Sequence, residues 1–194
     1  MKISAAILAG GKGRRMGLQQ KEFLSIGGTN LLHHLLGILK PAFRDIILIT
    51  NEPPEIYSGY GFDRIASDRY NGKGPLAGIH AALLNCPDRV FVFACDLPLL
   101  DISFIIKQIR HFRKGNDALV PRHSNGIEPL HSIYAQSCLD AAEKVLADNE
   151  RPPIREMLAI VRTIYWDIPK NDSFTNINTP EDLALCEKRL MIKQ

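Results

Sequence analysis

Apolar and polar positions fall in alternating blocks along the chain. Residues 3–8, 45–50 and 90–94 are continuously apolar through their centres, as strands are when helices cover both faces of a sheet. Shorter runs at 64–66, 118–121, 132–134 and 163–166 also read as strands. Between them, helical spacing predicts helices over 30–40, 76–85, 102–114, 137–148, 153–160 and 179–191. Strand–helix alternation of this kind predicts a three-layer α/β/α, Rossmann-like fold with an open, mostly parallel sheet and right-handed crossovers. In such sheets ligands bind beyond the carboxyl ends of the strands. The loops after Leu8, Thr50, Ala66 and Ala94 are therefore expected to share one crevice.

Two helix starts are well signed. Thr179-Pro180-Glu181-Asp182 offers an N-cap threonine, proline at the first helical position and acids in the first turn. Asp101 is placed to cap the helix that begins at Ile102. The Pro-Pro pairs at 53–54 and 152–153 are short and isolated, and read as loop elements rather than boundaries. With no repeat, linker or low-complexity tract, residues 1–194 are expected to form one domain.

Composition changes little. Hydrophobic residues make up 45% and charged residues 23% of the 194, ordinary for a globular chain. The net charge is only +3, with the cations scattered outside one loop, which argues against a nucleic-acid or membrane partner. No apolar stretch approaches the length of a membrane span, and the N-terminus leads into a strand without signal-peptide architecture. Cys86, Cys95, Cys138 and Cys186 match no zinc or redox spacing. Reduced, buried thiols and a cytoplasmic location are the expectation.

The loop at Leu8 to Lys21, LAGGKGRRMGLQQK, carries the chemistry. Gly10, Gly11 and Gly13 remove the Cβ atoms that would hold a ligand away, and successive N–H groups in such a turn make an anion-binding concavity. Lys12, Arg14, Arg15 and Lys21 supply charge for a phosphate chain. It is not a Walker A loop, because Gly17 is followed by Leu18 and Gln19. Nor is it the dinucleotide fingerprint, whose third glycine position holds Met16. A glycine-rich βα turn without a ligand is the plainer alternative, which the four cations weigh against.

Asp96 follows the strand at 90–94 and so lies beside the crevice, opposite this loop. A carboxylate there can hold Mg²⁺, which favours a few carboxylates plus phosphate oxygens and water; it can equally open a turn or cap a helix. Asp68 falls in a second crevice loop. The segment Gly72-Lys73-Gly74-Pro75-Leu76-Ala77-Gly78 then enters a helix, where glycines suit either close ligand approach or tight helix–sheet packing; packing is the expectation for Gly78. Asn51 ends the second strand, where its amide could read a base or form a turn. Asn176 and Asn178 precede the last helix, and extended residues two apart share a side. His80 reads as a core or supporting histidine, and His33-His34 as a solvated or packing pair. No histidine has the spacing to a serine or cysteine that a nucleophilic triad needs.

LAGGKGRRMG with Lys21, then GPLAGI, CDLPLL, PLHSIY and FTNINTPEDL, occur in the order seen in molybdenum cofactor guanylyltransferases, the MobA family. The chain resembles that family from Ile3 to about residue 190. The opening also resembles the wider nucleotidyltransferases of the nucleotide-diphospho-sugar transferase fold, and the terminal asparagine motif is similar to that of the molybdopterin branch. Cytidylyltransferases of that branch usually read LAAG where this chain has Leu8-Ala9-Gly10-Gly11, which favours GTP over CTP.

The resemblance implies Mg²⁺-dependent transfer of GMP from GTP to the phosphate of molybdopterin, with release of pyrophosphate. By the same resemblance, Leu8, Ala9, Gly10, Gly11, Lys21, Asn51, Asp68 and Asp96 form the GTP site, with Asp96 as metal ligand. Arg15 and Lys21 would hold the departing pyrophosphate. Asn176 and Asn178 fall on the pterin side, so that the N-terminal half binds GTP and the C-terminal half molybdopterin. Arg155 and Pro129-Leu130-His131 are further candidates for that side. Molybdopterin-insertion proteins or the target molybdoenzymes are the protein partners implied. Two residues depart from the family: Gln20 stands where an acid or asparagine is common, and Glu22 where a small residue is frequent. A CTP-dependent molybdopterin cytidylyltransferase, another NTP-dependent nucleotidyltransferase, and a nucleotide-binding module without chemistry remain alternatives.

Overall fold

The computed structural model describes residues 2–10 and 21–192. Among the described residues, ten strands and six α-helices follow in the order β1 (Ser4–Leu8), β2 (Ser25–Ile26), β3 (Thr29–Asn30), α1 (Leu31–Leu39), β4 (Ile46–Ile49), β5 (Arg64–Ala66), α2 (Pro75–Leu84), β6 (Arg89–Ala94), α3 (Ile102–His111), β7 (Ala118–His123), β8 (Gly126–Ile127), β9 (His131–Ala135), α4 (Leu139–Asp148), α5 (Ile154–Ile160), β10 (Thr163–Asp167) and α6 (Pro180–Ile192). The main sheet runs β10-β7-β9-β6-β1-β4-β5, with β8 hydrogen-bonded to β7. Along this path β9 alone is antiparallel to its neighbours β6 and β7. The reason is connection length: β7 is joined to β9 by residues 124–130, β8 included, too few for the crossover that parallel strands require.

Side chains alternate cleanly between two cores. Ala5, Ile7, Ile46, Leu48, Phe91, Phe93, Leu119 and Ile133 pack with α1, α3 and α6 on one face. Ala6, Ile47, Ile49, Val90, Val92, Val120 and Tyr134 pack with α2, α4 and α5 on the other. The outcome is the expected three-layer fold. Among the described residues, no helix is long and apolar enough to cross a membrane, and the four cysteines are free and buried.

Several expected boundaries shift for local reasons. The helix expected to reach residue 114 ends at His111, because Phe112 turns to an extended conformation and buries its ring. The strand expected over 118–121 runs on to His123 and folds back as β8. The β2–β3 hairpin was not anticipated; it turns at Gly27-Gly28, both at positive φ, as two-residue hairpins favour. Both signed helix starts are present. Asp101 accepts from the Ser103 and Phe104 N–H groups. Thr179 and Asp182 cap each other reciprocally, hydroxyl to Asp182 N–H and carboxylate to Thr179 N–H.

Candidate active site

Strands β6, β1, β4 and β5 are parallel neighbours, so their carboxyl ends line one edge. The backbone ties these ends together: Cys95 N–H donates to the Leu8 carbonyl, Ala9 N–H to Ile49 and Thr50 N–H to Ala66. Gly10 leaves this edge at φ +123°, a region strained for any residue with a Cβ. Among the described residues no atom lies within 4 Å of where that Cβ would stand, so backbone conformation, not crowding, requires glycine there.

Two polar groups sit on the edge. The first gathers three distant segments. Lys21 Nζ donates to Asp96 Oδ2 at 2.9 Å and to Asn178 Oδ1 at 2.8 Å. Lys21 and Asp96 side chains are each 18% exposed, shielded enough to hold the pair yet wet enough to release it. Asp96 is rigidly seated. Its carbonyl accepts from Ile177 N–H at 2.9 Å, Leu97, Leu99 and Leu100 are buried after it, and the Pro98 carbonyl accepts from His34 Nε2 at 2.7 Å. Ile177 is fully buried while Asn176 and Asn178 on either side are exposed. The alternation turns both amides outward along the same stretch. The Asn178 N–H, followed by the Thr179 N–H and hydroxyl, holds the Asp182 carboxyl below the usual range, with Lys21 adding to the effect.

The second group is a reciprocal pair. Asn51 Nδ2 donates to Asp68 Oδ2 at 2.7 Å, and Asp68 N–H donates to Asn51 Oδ1 at 3.0 Å. Asp68 Oδ1 is buried with no hydrogen-bond partner among the described residues. An orphaned carboxylate oxygen is costly, and it marks a place where a ligand's N–H or O–H would be bound. Adjacent strands lie about 4.8 Å apart, so Asp96 on the β6 end and Asn51 on the β4 end, two strands away, are separated by about 10 Å across the edge.

Residues 5–163 match the family described as the MobA-like NTP transferase domain. The chain belongs to this family. It is a nucleotidyltransferase. A Clostridium perfringens protein called "Probable molybdenum cofactor guanylyltransferase" is 32% identical over 191 residues, covering 94% of each chain. A crystal structure of molybdopterin-guanine dinucleotide biosynthesis protein A from Archaeoglobus fulgidus superposes with a TM-score of 0.81 at 29% identity, covering 98% of this chain and 100% of that one. The 2-C-methyl-D-erythritol 4-phosphate cytidylyltransferase of Thermus thermophilus, at 16% identity and a TM-score of 0.70 with 98% of this chain and 100% of that one covered, is similar in fold alone.

In this MobA-like transferase the expected site residues fall into place unevenly. Leu8, Ala9, Gly10, Lys21, Asn51, Asp68, Asp96, Asn176 and Asn178 all stand on the one edge. Gly11 and Arg15, with Lys12, Gly13 and Arg14, lie outside the described residues. Lys21, Asp96 and Asn178 meet directly, whereas Asn51 turns its amide onto Asp68. Gly78 is where packing demands it: a Cβ there would meet Leu8 Cδ1 at 2.9 Å. Arg155 lines a cleft of about 550 Å³ with Ile127, Pro129, Arg151, Lys73 and Gly74, the last two on the β5–α2 connection that carries Asp68. His131 faces the other way. It is fully buried among Phe91, Phe93, Phe104 and Phe174, so it cannot touch a ligand at the edge; burial pulls its pKa from 6.5 to about 4. His80 is buried against Glu143 at 3.2 Å, a supporting residue.

Sequence reasoning missed Tyr57 and Thr50 as partners of Glu22, which it noted only as a departure from the family. Glu22 is 3% exposed and accepts from Tyr57 OH at 3.1 Å, and Tyr57 OH lies 3.3 Å from Thr50 Oγ1. The one signal was an acid in the otherwise apolar stretch after Lys21. A metal fits this edge in one way. Among the described residues no three acidic, histidine or cysteine side chains converge. Asp96 offers a hard carboxylate at the rim, which suits a cation that takes its other ligands from phosphate and water.

Proposed function

We propose that the protein transfers GMP from GTP to the phosphate of molybdopterin and releases pyrophosphate. The observation that carries this reading is the meeting of Lys21, Asp96 and Asn178 within 2.9 Å at the carboxyl end of β6, beside β1. The names of the relatives supply the guanine and the pterin; the edge supplies the chemistry. An oxygen of the pterin phosphate attacks the α-phosphorus of GTP. The new P–O bond forms as the bond to the β-phosphate breaks, and the electron pair leaves on pyrophosphate. A phosphate monoester is already an anion near neutral pH, so no general base is needed.

Catalysis then rests on alignment and charge neutralisation. Lys21 moves from Asp96 onto the triphosphate, and by the family resemblance it shares with Arg15 the task of neutralising the charge that collects on the leaving group. The backbone at Leu8, Ala9 and Gly10 approaches the phosphates, and the resemblance adds Gly11 to that part of the site. Asp96 would hold Mg²⁺, which supplies charge neutralisation at the phosphates when bound. Asp68, through the Oδ1 that has no partner among the described residues, accepts a donor of the guanine, and Asn51 orients it. Asn176 and Asn178 face the pterin, and the Arg151–Arg155 cleft receives its phosphate end. One domain thus divides the labour, the N-terminal half on GTP and the C-terminal half on molybdopterin. The reaction belongs in the cytoplasm, where buried thiols stay reduced, and its product passes to insertion proteins or target molybdoenzymes.

The deciding experiment measures pyrophosphate release from GTP with and without molybdopterin, in Mg²⁺. Release that depends on the pterin, and that is faster with GTP than with CTP, is expected. Faster turnover with CTP would make the enzyme a cytidylyltransferase, and binding without release under any acceptor would leave only a nucleotide-binding module.

A further inference from the structure

Lys21 and Glu22 are consecutive, of opposite charge, and point in opposite directions. Lys21 reaches out to Asp96 and Asn178. Glu22 is turned inward and is almost wholly buried. A buried carboxylate is expensive unless hydrogen-bonded, and a leucine would fill the space at lower cost. What Glu22 does there is accept a hydrogen bond from Tyr57 OH.

That contact belongs to a directed chain. Thr50 Oγ1 accepts from Glu52 N–H at 3.2 Å. With Glu22 a carboxylate, Tyr57 donates to it and Thr50 donates to Tyr57. Burial raises the Tyr57 pKa, so the phenol stays a donor. Thr50 is the residue before Asn51. The chain of bonds therefore runs from the backbone that carries Asn51 to the residue next to Lys21. Aromatic packing reinforces the same join: Phe23 stacks on Tyr57 with ring centroids 5.6 Å apart, Tyr60 stacks on His33 at 4.2 Å, and Asn30 donates to Tyr60 OH.

We propose that Thr50, Tyr57 and Glu22 form a positioning relay that fixes the spacing between the phosphate-side group at Lys21 and the base-side pair at Asn51, so that one nucleotide engages both ends at once. This rests on the nucleotidyl-transfer reading. The three residues touch no reacting atom; they act through Lys21 and Asn51. Their worth is that of a linker between two binding subsites, which makes the second contact intramolecular.

The test compares a whole ligand with its parts. Tyr57→Phe keeps the ring and its stacking but deletes the hydroxyl. It is expected to weaken GTP binding about tenfold, while inorganic tripolyphosphate and guanosine each bind within about twofold of wild type. Glu22→Leu should match it, and Glu22→Gln, which keeps an acceptor for Tyr57, should restore GTP affinity to within about threefold. Thr50→Val offers the same cut from the other end if Tyr57→Phe does not fold. Unchanged GTP affinity in Tyr57→Phe overturns the relay, and so does an equal loss for GTP and both fragments, since that is collapse of the site rather than loss of spacing. Failure of the wild-type protein to bind any nucleoside triphosphate would instead strike at the underlying reading.

Discussion

The two polar groups on the sheet edge are built in opposite ways. Lys21, Asp96 and Asn178 come from segments 75 to 157 residues apart, and each is seated by burial of its neighbours. Asn51 and Asp68 are 17 residues apart, just past the ends of adjacent strands β4 and β5, and they are joined by two hydrogen bonds. In the first group Lys21 is paired with Asp96, so the pair must open before either takes a ligand. The second is already closed around itself and leaves a single carboxylate oxygen free for a ligand. The two groups thus differ in how much they must rearrange to take a ligand: the first gives up an ion pair, the second none.

Substitutions should separate the two. The largest effect is expected at Asp96: Asp96→Asn should lower turnover about a thousandfold or more, since it removes charge stabilisation in a partly shielded site, while leaving GTP selectivity over CTP as it is. Substantial activity at saturating Mg²⁺ would remove Asp96 from the metal role. Lys21→Met should weaken GTP binding by about a hundredfold through loss of a charge-assisted phosphate contact, read by titration calorimetry; unchanged affinity would refute the contact. Asp68→Asn, at the other group, should cost about tenfold in the preference for GTP over CTP with kcat little changed, because it turns a needed acceptor into a mismatched donor. A kcat collapse there instead would erase the distinction between the groups.

The seating of the first group has its own pH signature. Phe174, two residues before Asn176, stacks on His123 and packs edge-on against His131. His131 is held neutral, with a folded pKa of about 4 against an ordinary 6.5. Because the folded value is depressed, the unfolded chain gains a proton first as pH falls. Stability is full above pH 6.5 and declines down to about pH 4, by about 3 kcal/mol at most. Urea midpoints at several pH values should show that slope, and His131→Leu, though less stable at neutral pH, should lack it. The smallest effect belongs to Gly78→Ala, whose new methyl would press on Leu8; a loss of about 1 kcal/mol in stability with Asp96 chemistry intact is expected.

The fold was legible because its signals are local or periodic. Continuous apolar runs at 3–8, 45–50 and 90–94 became the central strands β1, β4 and β6, since a strand covered on both faces has no polar side to hide. The shared crevice followed from parallel order alone. Less was legible where a short connection or a single turn decided the outcome, as with the β2–β3 hairpin, the β7–β8 return and the reversal of β9. The site divided along the same line. Asp96 and Asp68 could be placed from their positions after strands. That Asn51 would bond to Asp68 rather than face outward, and that His131 would point into an aromatic core, depended on side-chain contacts with no sequence spacing.

By itself the sequence determined the layered fold, the edge formed by the strands' carboxyl ends, and the residue types gathered there, because hydrophobic periodicity and strand ends are properties of short segments. Only the tertiary structure decided which of those residues touch. It joined Lys21 to Asp96 and Asn178, and it buried Glu22 against Tyr57, because partners so far apart in the chain meet only when the sheet and both its helical layers have assembled.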